Sequence, residues 1–235
     1  LQLDLSNMMF DACEDIISKT KNSEDYDGFK LNVLSVLGID YKIDREEFLK
    51  IKPDDLTQQL YRAAEKNYKD KNRIIAEKAV PIFKDIHKNK GATVREVLVP
   101  FTDGKKQIGV STNLEKNLET NCGELIKSLE KFATLAIIDQ AWKEHLREMD
   151  DLKQSVQNAV YEQKDPLLIY KFEAFQLFKQ FIVKVNEDTM SFLTRAIIPI
   201  RDPNEVQEAA SRRKARENYR TSKEESKSLL SGGGA

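Results

Sequence analysis

Two histidines, His87 and His145, and two cysteines, Cys13 and Cys122, are the only residues of their kinds in the chain. A zinc site needs three or four such donors at close spacing, and nucleophilic catalysis needs a thiol or hydroxyl with a base beside it. The cysteines stand far apart in sequence with no CxxC and no Cys/His ligand pattern, so two reduced and mostly buried thiols are expected. His145 sits in Trp142-Lys143-Glu144-His145-Leu146 with Glu144 and Glu148 nearby. A metal or general-base role would need further ligands there, so a helix-surface or packing histidine is expected. No GxxxxGK[ST], GxGxxG, HExxH or GxSxG stretch occurs. The sequence therefore offers no catalytic residues and no metal ligands. What remains is contact chemistry. Tyr161, beside Val160 in the polar stretch Gln157–Pro166, is placed to present an amphipathic aromatic to a partner.

That stretch interrupts two long helical patterns. Leu125, Leu129, Phe132, Leu135, Ile138, Trp142, Leu146, Met149, Leu152 and Val156 recur at steps of three and four, which keeps them on one side of a helix. Leu168, Phe172, Phe175, Phe178, Ile182, Val185 and Phe192 repeat the pattern on the way back. Asp165 can cap the second helix and Pro166 fits its first position, where a missing N–H costs nothing. The expected element is a long antiparallel hairpin with an exposed tip. Trp142 and Leu146 on one leg, and Phe172 and Phe175 on the other, are its expected buried anchors.

The rest of the chain supplies a base. Residues 1–18 read as a helix with Leu5, Met8 or Met9, Ala12, Ile16 and Ile17 on one side. Thr20–Gly28 reads as a connection, and Phe29–Leu37 as an apolar segment closed by Gly38 at a helix C′ position. Asp44 starts a short helix through Leu49. From Leu56 to about His87 the pattern is helical, with Leu60, Ala63 or Ala64, Tyr68, Ile74 or Ile75, and Ala79 inward. Pro81 within it predicts a kink or a split. Val97, Val99 and Phe101 alternate before Asp103-Gly104, and Ile108 and Val110 after it. A two-residue type I′ turn would set Val99 opposite Ile108 and Val97 opposite Val110. Such a hairpin needs a neighbour to cover its apolar face, and the helices of residues 29–90 are the expected one.

The fold class is mainly α: the helical hairpin packed with a small helical unit carrying one β-hairpin. Composition agrees. The chain is 40% hydrophobic and 33% charged with nine glycines, and its formal net charge of -1 gives no global attraction to nucleic acid or anionic lipid. No run is apolar and long enough to span a bilayer, and no signal-peptide core is present. After Ile200 apolar residues thin out and both signs of charge crowd 212–227; residues 205–220 could continue as a solvated helix, with linker or disorder beyond. Leu1 is not a Met and the end is Ser/Gly-rich, so a piece of a longer protein is expected.

The run Ile137–Gln154 resembles a family signature, D-x-x-W-K-E-H-L-x-x-M-D-x-L-R-Q, of the SecA preprotein translocase ATPases. Tyr161-Glu162-Gln163-Lys164-Asp165-Pro166 with Tyr170–Phe175 resembles the Y-x-Q-K-D-P-x-x-x-Y-K-x-E-x-F that follows it there. The resemblance is strong over residues 125–195 and loose over 1–90. It implies residues 1–18 as the first part of a helical scaffold, 19–122 as a helical wing domain with the β-hairpin near 94–111, 123–199 as the scaffold's two-helix finger, and 200–235 as a charged tail. The piece would be C-terminal in its parent. A β-hairpin at 94–110 is not in the common wing pattern, and the family's C-terminal Cys/His zinc motif is missing.

By resemblance, the finger engages the SecY channel and unfolded preprotein, with Tyr161, Val160, Gln163 and Lys164 as the polypeptide-contacting tip. The implied partners are the SecY complex, the preprotein and the motor domains of the same chain. The implied location is the cytoplasmic face of the inner membrane, as a peripheral protein. ATP and Mg would belong to the parent's motor, and this piece would bind neither. A helical adaptor without enzymatic activity is the rival function. A stand-alone enzyme lacks its motifs, and a coiled-coil oligomer would need a stricter heptad.

Overall fold

The computed structural model describes residues 4–90, 93–157 and 165–199, together with the backbone of Gln207–Glu208. Helix α1 (Leu5–Lys21) starts at Asp4, whose side chain accepts from the Asn7 N–H, and buries Met9, Ala12, Cys13, Ile16 and Ile17. It runs past Ser18 because the Thr20 hydroxyl satisfies itself on the Ile16 carbonyl at 2.7 Å while buried. Both thiols are free and buried.

Helix α2 (Tyr26–Asn32) begins within the expected connection, capped by Asp25 on the Gly28 N–H at 2.9 Å. It continues into a π-helical turn, Val33–Leu37, that ends on Gly38 at φ 66°. A left-handed residue there favours glycine, and a Cβ would also meet Thr194 and Arg195 at 3.4 Å. Helix α3 (Arg45–Lys50) contributes Phe48, whose ring lies 4.8 Å from Phe29 and 5.7 Å from Tyr26, and both phenylalanines are fully buried.

Helix α4 (Pro53–Lys90) is a single element with Pro81 inside it. Of the expected kink or split, the split does not occur. The ring of Pro81 faces solvent while Ala79 and Phe83 on either side are buried, so the one carbonyl left without a donor can turn to water.

Strands β1 (Glu96–Thr102) and β2 (Gln107–Asn113) pair antiparallel with Val99 opposite Val110, Phe101 opposite Ile108 and Val97 opposite Thr112. That is two residues away from the expected register. The connection holds four residues rather than two. Asp103 accepts from the N–H groups of Lys105 and Lys106 at 2.9 and 2.7 Å, and Thr102 donates its hydroxyl to the Lys106 carbonyl at 2.8 Å. These local bonds outweigh the type I′ preference. A shift of two preserves the faces, so Val97, Val99, Phe101 and Val110 are still the buried set.

The covering neighbour is also different. The sheet lies mainly on the base of helix α6 (Gly123–Gln157), reached through α5 (Leu114–Glu119), with Ser128 donating to the Thr112 hydroxyl at 3.3 Å. The chain runs straight from β2 into these helices, so the nearest apolar surface is theirs rather than that of residues 29–90. Helix α7 (Pro166–Arg195) returns the chain, and Ile197 then bridges to Thr102. The backbone of β3 (Gln207–Glu208) pairs with β1, where a solvated helix was expected. One continuous apolar core joins α1–α4, the β-hairpin, the base of α6 and the end of α7. No helix among the described residues is long and apolar enough to cross a membrane.

Candidate functional site

The hairpin is the part of the molecule that reaches away from this core. Its legs have 35 and 30 residues, about 52 and 45 Å at 1.5 Å per residue. The second leg starts as its sequence requires: Asp165 accepts from the Leu167 N–H at 2.9 Å and Pro166 occupies the first turn.

Along α6 the buried row is Leu125, Leu129, Ala133, Ile137, Ala141 and His145, with Leu152 and Val156 beyond. Steps of four overshoot a full turn by about 40° each, so the row winds around the helix. Its lower end faces the core and its upper end faces α7. Small Ala133 and Ala141 permit a close approach of neighbours at two of these steps.

At mid-shaft the legs are joined by rings. His145 is 5% exposed and stacks on Phe181 at 5.1 Å, with Trp142 at 5.5 Å and Phe178 at 6.1 Å. Trp142 meets Phe181 edge-on at 5.6 Å. The His145 Nδ1 is buried and has no hydrogen-bond partner among the described residues. Beside the rings, Lys184 donates to Glu144 across the legs at 2.5 Å, and Gln140 donates to the other Glu144 oxygen at 3.0 Å. These hydrogen bonds, that of Lys184 foremost, hold the Glu144 carboxyl below its ordinary range, and Glu144 in turn raises the Lys184 amine.

The four expected anchors are not buried. Trp142, Leu146, Phe172 and Phe175 are 44, 47, 64 and 54% exposed. Apolar spacing reports a face but not which of two faces meets the partner leg. Here the closely packed row includes alanines and a histidine, and the larger side chains flank it. With Phe132, Leu135, Leu168, Phe178 and Ile182, also 37–67% exposed, they leave broad apolar surface on the two legs. The expected tip residues Val160, Tyr161, Gln163 and Lys164 lie outside the described residues.

A second polar cluster, not foreseen, lies where the hairpin meets α4. Tyr68 donates to Glu130 Oε1 at 2.9 Å, and Lys71 donates to the carbonyls of Leu193 and Ala196. Burial raises the Tyr68 hydroxyl and the Glu130 carboxyl and pushes the Lys71 amine down to about 8. The sequence held the signal: Leu60, Ala64, Tyr68, Lys71, Ile75 and Ala79 form one stripe, with a lysine inside it. A groove of about 730 Å³ beside this cluster is lined by Met9, Tyr61, Tyr68, Asn72, Glu130 and Met190, among others. Among the described residues no three His, Cys, Asp or Glu side chains come together to hold a metal ion.

Fold and site define a mainly α scaffold that raises a long two-legged hairpin from a wing-like base. A family model described as the SecA wing and scaffold domain matches residues 1–197. The chain is 43% identical over 235 residues to the protein translocase subunit SecA of Cytophaga hutchinsonii, which covers all of this chain and 21% of that protein. It is 47% identical over 225 residues to the subunit of the same name from Christiangramia forsetii, covering 96% of this chain and 20% of that protein. The chain belongs to the SecA wing and scaffold family. It spans about a fifth of the length of these curated relatives.

Proposed function

We propose that this chain is the wing and scaffold portion of a protein translocase subunit, and that the α6–α7 hairpin is its two-helix finger. In this proposal residues 1–18 and 123–199 are scaffold and 19–122 the wing. The finger's tip, with Tyr161 flanked by Val160, Gln163 and Lys164, engages the SecY channel and the unfolded preprotein. ATP-driven motion of motor domains elsewhere in the protein is passed along the legs. The membrane contact is peripheral, from the cytoplasmic side.

The observation that carries this reading is the two-legged shaft itself, cross-tied at mid-length by the His145 ring cluster and the Glu144–Lys184 pair, within a chain whose whole length aligns to about a fifth of a translocase subunit. Packed legs transmit displacement with little loss. A tyrosine suits a substrate of any sequence, offering apolar area and one hydroxyl with few torsions to immobilise. The exposed aromatic surface of the legs fits an apolar partner, and we assign it to the remaining four-fifths of the protein.

The test is photo-crosslinking from position 161 in the full-length protein with a preprotein stalled in the channel. A crosslink to preprotein is expected. A crosslink to the channel alone, or none, would reduce Tyr161 to a docking residue and favour a binding adaptor. Tyr161→Ala in the same protein is expected to slow transport, and unchanged transport would remove the tip from the mechanism.

A further inference from the structure

The proposed tip chemistry makes no use of the cluster at the other end of the hairpin. Lys71 of α4 donates to the Leu193 carbonyl and, at 3.4 Å, to that of Ala196. The last carbonyls of a helix have no donors within it, and they carry the negative end of its dipole. An ammonium answers both needs. Ala196 closes α7 by donating to Phe192 at 2.7 Å and turns extended, and Ile197 then exchanges two backbone hydrogen bonds with Thr102, each 2.9 Å. Within five residues the end of α7 is therefore tied to α4 and then to β1. On its other side the Lys71 amine lies 5.1 Å from the centre of the Tyr68 ring, whose hydroxyl holds Glu130 of α6.

This junction differs in kind from the apolar packing around it. A buried ammonium loses hydration that its bonds only partly return, and burial accordingly pushes the Lys71 amine down to about 8 against the opposing pull of Glu130. A groove lies on the other side of its partners Tyr68 and Glu130, which both line it. A contact made of opposed terms opens at lower free energy than one made of buried hydrocarbon.

We propose that Lys71 is a releasable latch between α4 and the end of the hairpin. When its side chain withdraws to solvent, the last turn of α7 and the Thr102–Ile197 pairing are freed as one unit while the apolar core stays folded. The latch gives the finger a second attachment state on the wing. It does not depend on what the tip touches.

The test is amide hydrogen exchange on the full 235-residue chain, comparing wild type with Lys71→Met, which keeps the apolar stem, and Lys71→Arg, which keeps a cation. In Lys71→Met the amides of Thr102, Ala196 and Ile197 are expected to exchange at least about tenfold faster, with those of Cys13, Ile16 and Ile17 in α1 within about twofold of wild type. Lys71→Arg is expected to recover most of the protection. Unchanged exchange at the three amides, or equal acceleration in α1, overturns the latch. If Lys71→Met does not fold, wild type in sub-denaturing urea decides. Opening of the three amides together, at less urea than α1 requires, supports the latch; opening only with α1 overturns it.

Discussion

The base of the molecule and the shaft of its hairpin are both helical, yet they are built on opposite terms. In the base, Phe29, Phe48, Leu56, Leu60, Leu125 and Leu129 are fully buried, and the large rings face each other. On the shaft the buried positions include Ala141 and His145, while Phe172, Phe175 and Phe178 are 64, 54 and 46% exposed. Helix α7 shows the change within one element. Its buried residues begin at Val185, and the turns before that carry exposed aromatic surface. The base uses its hydrocarbon to stay folded. The shaft needs only enough to keep two legs together, and the rest stays exposed. Hydrophobicity in a sequence thus marks two different tasks.

The sharpest way to break that contrast is to delete one ring from each region. Phe29→Ala is expected to destabilise the chain by about 3–5 kcal/mol, as cavity-forming Phe substitutions do. Phe172→Ala, from a ring already 64% exposed, is expected to cost under about 0.5 kcal/mol. Urea denaturation followed by circular dichroism reads both. Comparable losses would mean that the shaft rings belong to the core after all.

The Lys71 junction sharpens the contrast through pH. Its amine titrates near 8 when folded and near 10.5 ordinarily. Between those values the unfolded chain holds a proton that the folded chain has released, so stability rises with pH on this group's account. The buried thiols act oppositely. Cys13 is pushed up to about 12 and Cys122 to about 11, so above their ordinary value of 9.0 the unfolded chain loses protons that the folded chain keeps. Lys71 is therefore best read between about pH 8 and 9. Over that range the stability of wild type relative to Lys71→Met is expected to grow by on the order of 1 kcal/mol per pH unit. A constant difference would show that the lysine is not buried in the folded chain.

These regions were unequally legible in the sequence. The hairpin legs, the Asp165–Pro166 start and the Gly38 stop rest on local chemistry, and local chemistry is what a sequence displays. The four-residue β-loop was missed because Asp103 and Thr102 make their own side-chain bonds to the turn backbone, which compete with the Asp-Gly turn. Trp142 and Phe172 are more exposed than expected for a different reason, although Trp142 still packs across the legs on Phe181. Periodicity identifies an apolar face, but not which of its side chains the other leg covers, and here the buried ones are Ala141 and His145. Lys71 was visible only as an exception, a charge inside an apolar stripe, and its carbonyl partners lie more than a hundred residues away.

Where the shaft begins, a smaller effect is expected. Asp165→Ala removes the bond to the Leu167 N–H and should cost about 1 kcal/mol. The loss should appear as faster exchange over the first turns of α7 rather than over Val185–Arg195. Equal acceleration at both ends would mean that the legs open as one unit with the base, and the contrast between shaft and base would fail.

The smallest effect belongs to the Glu144–Lys184 pair, and its size is informative. Both side chains are well exposed, 37% for Glu144 and 53% for Lys184, so solvent screens their attraction and the global midpoint should hardly move on Glu144→Gln. What the pair can do is fix the relative rotation of the legs beside the His145 rings. Because the Glu144 carboxyl is lowered, its contribution is present above the ordinary carboxylate range and fades as pH falls through the folded value. The raised Lys184 amine loses its part only at high pH. At neutral pH and low salt, Glu144→Gln should therefore speed exchange modestly in mid-α7. In 1 M salt, where the screening length is about 3 Å, the variant and wild type should converge. A difference that persists in high salt would show that the hydrogen bonds of Glu144 themselves, rather than the charge attraction, hold the legs in register.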